Sequence, residues 1–548
     1  MRVLGISPMH DSSVAIVHNG NLEYFCKEER LTRNKREHHP LMALENALNQ
    51  SKGKIDYFVI SSPTKNDPFN KYLESYINKK FNKQVVRLCD HHHLTHASLC
   101  FYNSGFEDAL VVVIDRNGSH HERLRESETI FECTYPNNFK TLYKSFWLEK
   151  IGLDEDLLNQ KKVNEVCKDF NCDVVAESTM NITKVYESAT TLIGENVLEN
   201  GKTMGLAAYG KKNKQERLFV NGVPNTNLFF SNNDFFQSIL QKKHINKVTT
   251  HLQKDNFSYY ADYAFHVQEE TQEEVLRLVK KYVEKTNAKN ICLSGGYALN
   301  VVTNEYLVKM LPDKNFYFEP LADDSGNSIG AAMYIYRSLT QDKKINKLTH
   351  TFFNNKKHSI HVKGKSSSEK EVAKFLYDQK IVAVYNEQAE GGPRALGNRS
   401  ILFDPRNIFA KNIVNKVKNR EWYRPFAASI KKEYFKEYFE THGLDESKFM
   451  TISFQSKTQK IPGVVHVDNS CRVQTVDVDI PHLYKLLEEF YKITEVPVLL
   501  NTSFNKAGEA LVETVEDAIL TFQNTEIDVL WFPEKNEILK KDLNDSWR

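Results

Sequence analysis

The stretch His91-His92-His93-Leu94-Thr95-His96 packs four imidazoles into one short run. His92 and His96 are four apart, so on a helix they share a face and can reach a single metal ion. An isolated pair at that spacing is more often a solvent-facing polar cluster. Two carboxylates shift the balance: Asp115 ends the apolar run ALVVVI, and Asp324 stands in the turn ADDSGN. Two imidazoles with two carboxylates suit a divalent transition metal (iron, zinc or manganese) better than calcium or magnesium, with positions left open for substrate oxygens. His10, just past the first apolar segment, is placed to act as general base toward a hydroxyl or to polarise a carbonyl; a plain turn histidine is the competing reading.

A second constellation is built from cations. GGPRALGNRS (Gly391–Ser400) joins tight-turn glycines to Arg394 and Arg399. Asn415, Lys418, Arg420 and Arg424 follow in NKVKNREWYRPFA, then His466, Asp468, Arg472 and Gln474 in HVDNSCRVQTV. Asn501 and Ser503 come next in NTSFN, after an apolar strand. Basic residues set singly beside strand and turn signals are hard to explain as a solvated face. Converging, they would neutralise several phosphate oxygens, the arginines in bidentate contacts; internal salt bridges are the alternative. An anionic substrate meeting a nucleoside triphosphate is the chemistry implied.

Short strands must hold the first group. Arg2–Ile6, Val14–His18 and Asn21–Lys27 read as strands, the last two joined by an Asn-Gly hairpin turn. Ala109–Val113 is another strand, ending at Asp115. Residues 265–286 have helical apolar spacing, and Asn290–Leu293 is a strand leading into Gly295-Gly296 and a helix, a layout that can hold phosphate on backbone N–H groups. Residues 351–370, within a polar basic run, read as a linker between a domain at 1–350 and a second α/β domain at 371–548.

Length and composition agree with two globular domains: 548 residues, 41% apolar and 26% charged. Lysine plus arginine (73) nearly balance aspartate plus glutamate (71), so the net charge of +2 gives no global argument for nucleic acid or membrane. No apolar run has the length of a membrane span, and the N-terminus lacks a secretory core. The eight cysteines include no C-x-x-C pair and read as reduced thiols, so a cytoplasmic setting is expected.

In order along nearly the whole chain, LGISPMHDSSVAIV, EERLTRNK, HHLTHA, VIDRNGS, GKTMGLAAYG, LSGGYALN, DDSGNSIGAA, GGPRALGNRSILFDPR, NKVKNREWYRPFA, HVDNSCRVQTV and VLLNTSFNKAGE resemble the NodU/CmcH-type O-carbamoyltransferases. The resemblance implies an α/β chain: an N-terminal actin/HSP70-like (Kae1-like) domain of two halves, then a C-terminal YrdC-like α/β domain. It implies that the second domain forms carbamoyl adenylate from carbamoyl phosphate and ATP (with Mg2+). Arg394, Lys418, Arg424, Arg472 and Ser503 match its anion-binding positions, with Asn501 beside them. It also implies that His92, His96, Asp115 and Asp324 hold a divalent metal, with Fe2+ the expected ion. His10 then assists attack by the acceptor hydroxyl, Lys35 belongs to the nearby basic motif, and Gly205, Gly295, Gly296 and Asn300 lie in nucleotide-contacting turns.

Two departures stand out. Glu387-Gln388-Ala389-Glu390-Gly391 replaces the family's arginine-bearing approach to GPRALG, and RNGSHHERLRESETIF replaces an acidic-aromatic stretch after Asp115. The second borders the expected acceptor cleft. Arg116, His120, His121, Arg123 and Arg125, with the basic stretch Leu31–His39, offer a local polyanion patch. A hydroxymethylpyrimidine of DNA or a nucleotide is therefore the favoured acceptor, with a small metabolite such as a sugar, antibiotic or toxin precursor as alternative. A tRNA threonylcarbamoylation enzyme and a non-catalytic nucleotide-binding actin fold are the competing classes. A homodimer is compatible with this reading, which sets no oligomeric state.

Overall fold

The structure is a computed structural model that describes residues 1–64, 66–121, 124–148, 167–168, 170–178, 180–212, 217–225, 257–353 and 364–541. It is a mixed α/β protein of two compact units. The first comprises Met1–Glu23 and His38–Thr349, the second Tyr24–Glu37 and His350–Arg548. Tyr24–Glu37 thus clusters with the second unit although it falls within the range 1–350 expected for the first. Of the expected linker 351–370, residues 354–363 lie outside the described residues, and a helix already starts at Glu369.

β1 (Arg2–Ser7), β2 (Ser13–His18), β3 (Asn21–Lys27, of which Asn21–Glu23 belong to the first unit), β4 (Tyr57–Ser62) and β5 (Val85–Cys89) form a sheet in the order β3-β2-β1-β4-β5. β1 runs antiparallel to β2 and parallel to β4. A second, seven-stranded sheet contains β6 (Asp108–Ile114), β7 (His120–His121), β8 (Leu124–Thr134), β9 (Asn138–Leu148), β10 (Asp173–Ser178), β13 (Asn290–Ser294) and β14 (Asn315–Phe318). Its order is β10-β9-β8-β6-β13-β14, with β7 paired to β8; β11 (Phe219–Val220) and β12 (Val223–Pro224) make a separate hairpin. β6 is buried from Ala109 to Ile114, as a continuous apolar run between two neighbours should be.

Two helices bring the chemistry of this unit together. The helix His92–Ser104 is buried over nearly its whole length and packs on the helix Asn327–Thr340. The approach is close because the second helix is paved with small residues: a Cβ on Gly330 would fall 1.9 Å from the Thr95 carbonyl oxygen. Gly5 on β1 is equally constrained, against the Ser328 carbonyl oxygen. The sequence GNSIGAA is therefore a packing surface, and the turn before it carries Asp324.

The second unit is a nine-stranded sheet of β15 (Lys365–Ser366), β16 (Val382–Tyr385), β17 (Arg399–Phe403), β18 (Ala427–Lys431), β19 (Ser453–Gln455), β20 (Ser470–Val476), β21 (Val498–Ser503), β22 (Val529–Phe532) and β23 (Glu537–Lys540), ordered β15-β23-β22-β16-β17-β21-β18-β20-β19. The helices Glu369–Tyr377 and Pro481–Thr494 cover one face through Val372, Leu376, Leu483, Leu487 and Phe490, packed on Val384, Leu402 and Trp531. These side chains are almost wholly removed from water, and truncating one such leucine or phenylalanine typically costs about 2–5 kcal/mol.

Candidate functional site

In the first unit the N-terminus of the helix His92–Ser104, the end of β6 and the turn before the helix Asn327–Thr340 meet. One donor atom from each of His92, His96, Asp115 and Asp324 lies within 4.8 Å of the others, and the group is largely buried. Asp324 Oδ1 is 3.4 Å from both His92 Nε2 and His96 Nε2, and Asp115 Oδ2 is 3.6 Å from His92 Nε2. Asp115 is fixed by the Gly296 N–H, which donates to its Oδ1 at 3.1 Å. Asn327 Nδ2 donates to His96 Nε2 at 3.1 Å. His10 Nδ1 is 3.3 Å from Asp324 Oδ2.

The charges interlock. Burial works against a charged His92, but Asp324 and Asp115 outweigh it and hold the imidazole at about 10. Asp324 foremost, against the cost of burial, also raises His10. Asp115 and Asp324 are held well below the usual carboxylate range: burial opposes this, and the imidazoles prevail. The group fits a metal ion on its own terms. Two carboxylates and two imidazoles gather within reach of one ion, and among the described residues the buried His92 Nε2 has no hydrogen-bond partner.

In the second unit cations converge. Lys418 closes the helix Ala410–Val417; it is buried, and its ammonium donates to the Ser503 carbonyl and Oγ (3.2 Å) and to the Asn505 carbonyl (2.8 Å) and Oδ1 (3.1 Å). Burial first, then Arg420, Arg424 and Lys35, push it well below the usual lysine range. Arg420 is lowered by burial, Arg424 and Arg472, and Arg472 by burial and Arg424 to about 10. Among the described residues Arg472 Nε is a buried donor with no hydrogen-bond partner. Glu421 and Glu509 bring carboxylates to this group, Glu421 lying 3.4 Å from Arg424. Several cations held this close together suit an anion site.

Arg394 is half-buried in the loop between β16 and β17. That loop is held from below: Glu390, fully buried, accepts through Oε1 from the N–H groups of Leu396 (2.6 Å), Asn398 (3.0 Å) and Arg399 (3.3 Å). Gln474 Nε2 donates to the Leu396 carbonyl at 2.7 Å, and Asn501 Nδ2 to the Ala395 carbonyl at 3.3 Å. His482, driven by burial to about 4 and hence neutral, donates from Nε2 to the Gly397 carbonyl at 3.0 Å. Arg399 lies over the Tyr385 ring, 3.7 Å from its centroid.

Several expected residues have other tasks. Gly205 is not in a turn: it is buried within the helix Asn200–Ala207, which the Thr190–Thr203 hydroxyl bond ties to the helix Ile182–Leu192. The run KTMGLAA is simply helix-competent. Asn300 caps the helix Val301–Met310 by accepting from the Thr303 N–H at 3.1 Å, and its amide donates to Gln268. Gly295 (φ +85) sits where a Cβ would be 2.4 Å from the Ile114 carbonyl oxygen. Lys35 belongs to the second unit, among the cations around Lys418. The expected basic patch is also reshaped. Arg116 pairs with buried Glu187 at 2.7 Å, His121 packs edge-on against Phe146 and Phe170, and Arg123 lies outside the described residues.

Sequence reading did not single out Asn327, Glu390 or His482. Asn327 lies inside the glycine-bearing motif DDSGNSIGAA and Glu390 directly before GGPRALG, places where a polar residue signals a backbone that needs holding.

Two family models match the chain: the N-terminus of carbamoyltransferases over residues 77–333 and their C-terminus over residues 373–538. The chain belongs to the carbamoyltransferase family, of the NodU/CmcH type, and is a carbamoyltransferase enzyme. An uncharacterised protein of Synechocystis is 28% identical over 96% of this chain and 95% of its own length. Nodulation protein NolNO of Sinorhizobium fredii is 25% identical over 95% of this chain and 78% of its own. Among solved structures, the HypF of T. kodakarensis is similar at 15% identity with a TM-score of 0.40, over 62% of this chain and 48% of that one. Among the described residues no helix is long and apolar enough to cross a membrane.

Proposed function

We propose that the second unit makes carbamoyl adenylate from carbamoyl phosphate and ATP, and that the first passes the carbamoyl group to a hydroxyl. In this reading the two units are the YrdC-like and Kae1-like domains. The observation that carries it is the gathering of Lys418, Arg420, Arg424 and Arg472 in one unit, with a histidine–carboxylate site in the other. Triphosphate and carbamoyl phosphate are the anions that such a cluster of cations suits. An acyl adenylate requires a free carboxylate oxygen, so water must first attack carbamoyl phosphate, breaking its O–P bond to leave carbamate and inorganic phosphate. The carbamate oxygen then attacks the α-phosphorus of ATP and displaces pyrophosphate. Lys418, Arg424, Arg472 and Arg394 hold and neutralise the phosphates during this exchange.

In the first unit His92, His96, Asp115 and Asp324 would hold a divalent metal, Fe2+ first among the candidates; bound there, it offsets charge on phosphate oxygens. His10, beside Asp324, takes the proton of the acceptor hydroxyl as that oxygen attacks the carbamoyl carbon and AMP departs.

For the acceptor we favour a hydroxyl of a small metabolite over a hydroxymethylpyrimidine of DNA. Arg116 of the basic stretch is neutralised by Glu187, and His121 packs on aromatic rings, which leaves less charge to follow a DNA backbone. The test is a mass-spectrometric screen for carbamoyl addition to sugars, aminoglycosides, free nucleotides and hydroxymethylated DNA, with carbamoyl phosphate and ATP supplied. A product on the DNA alone would overturn this choice of acceptor. Dependence on threonine and bicarbonate would overturn the reaction itself.

A further inference from the structure

The helix His92–Ser104 begins with no side-chain cap of its own, although its first residue is one of the four converging donors. A helix start needs outside acceptors for its first N–H groups, and here one comes from the loop between β6 and β7: the His92 N–H donates to Ser119 Oγ at 3.1 Å. Ser119 is itself gripped by Glu126. The Ser119 N–H donates to Glu126 Oε2 at 3.2 Å, the Glu126 N–H donates to the Ser119 carbonyl at 3.1 Å, and the Gly118 N–H donates to the Glu126 carbonyl at 2.7 Å. The other end of this loop is Asp115, whose N–H donates to the Ser127 carbonyl at 2.9 Å.

Glu126 is wholly buried, and its Oε1 accepts from the Thr129 hydroxyl at 3.0 Å and from the Lys144 ammonium. The His93 Nδ1 is 2.8 Å from Thr129 Oγ1 and 3.7 Å from the same carboxylate oxygen. His93 also presses on the loop, since a Cβ on Gly118 would lie 2.4 Å from its Nε2. A buried ion pair is a poor device for stability, because desolvation offsets most of its attraction, but it fixes geometry well.

We infer that Glu126, through Ser119 and with Lys144 as its counter-charge, is a positioning residue that clasps the loop carrying Asp115 to the helix start carrying His92. The inference rests on reading His92, His96, Asp115 and Asp324 as metal donors. Without the clasp the segments carrying two of the four donors lose this direct tie to each other. The partners that orient metal ligands are typically worth about 10–100-fold in affinity.

The test is Co2+ titration of the full-length chain, followed by its visible absorption, with the thermal midpoint of the metal-free protein measured alongside. Glu126→Ala should weaken Co2+ binding about 10–100-fold. That variant strands the Lys144 ammonium in the interior, so the pair E126L/K144M, which removes both charges, is titrated as well. It should fold and show the same loss. E126Q keeps an oxygen for the Ser119 N–H and should restore most of the affinity. If E126L/K144M binds Co2+ within twofold of the parent while His92→Ala abolishes binding, the clasp is wrong and the donor set stands. If the parent shows no Co2+ binding that His92→Ala removes, the donor set falls and the clasp with it.

Discussion

The two charged regions of this enzyme are built on opposite plans. The histidine–carboxylate group of the first unit is internally balanced: each imidazole faces a carboxylate, and His92, Asp115 and Asp324 adjust one another's proton affinities. In the second unit cations outnumber the acids acting on them, and Lys418, Arg420 and Arg472 are each pushed down by burial and by cationic neighbours. A balanced, largely buried group is a donor set that can persist in the resting protein. An unbalanced one stores a repulsion that only an arriving anion relieves. The difference is what the proposed function turns into separate steps for the two units.

The sharpest way to break that contrast is to remove a buried cation of the second unit. Arg472→Ala should lower pyrophosphate formation roughly 10²–10³-fold while leaving Co2+ binding by the first unit unchanged. Loss of both together would merge the two regions into one. His10→Ala should reduce carbamoyl transfer about 10²-fold and still release pyrophosphate, as assayed with carbamoyl phosphate and ATP. A smaller effect tests the stored repulsion directly. Pyrophosphate at 100 times its Kd should stabilise the second unit by about 2.7 kcal/mol in thermal melts, less so at high salt. It should do nothing for the first unit.

The smallest expected effect concerns Glu319, a buried carboxyl outside both sites that burial pushes up to about 7. The folded protein therefore holds this proton more tightly than the unfolded chain. The stability it contributes is complete below about 4.5 and is lost as pH rises through 7, by up to roughly 3 kcal/mol. Glu319→Gln should flatten the decline of the melting temperature between those pH values; an unchanged slope would assign it to other groups.

What was legible in the sequence follows from locality. The strands around His10, the run ending at Asp115 and the strand before Gly295 were readable because each is a short apolar segment closed by turn residues. His92 and His96 were readable because helical spacing alone aligns them. The partnership of Glu126 with Lys144 was not, since their segments look like any polar strand until β8 and β9 pair. Nor was the capture of Lys35 by the second unit, which depends on where Tyr24–Glu37 packs. Gly205 misled for the opposite reason. A glycine-bearing motif suggests a turn, but the residues around it form a helix as readily, and packing decided.

The division of labour is tested most directly by measuring pyrophosphate release and carbamoylated product side by side in Asp324→Ala and Arg472→Ala. The account predicts that Asp324→Ala keeps pyrophosphate release and loses product, whereas Arg472→Ala loses both. Pyrophosphate release falling as far in Asp324→Ala as in Arg472→Ala would contradict it.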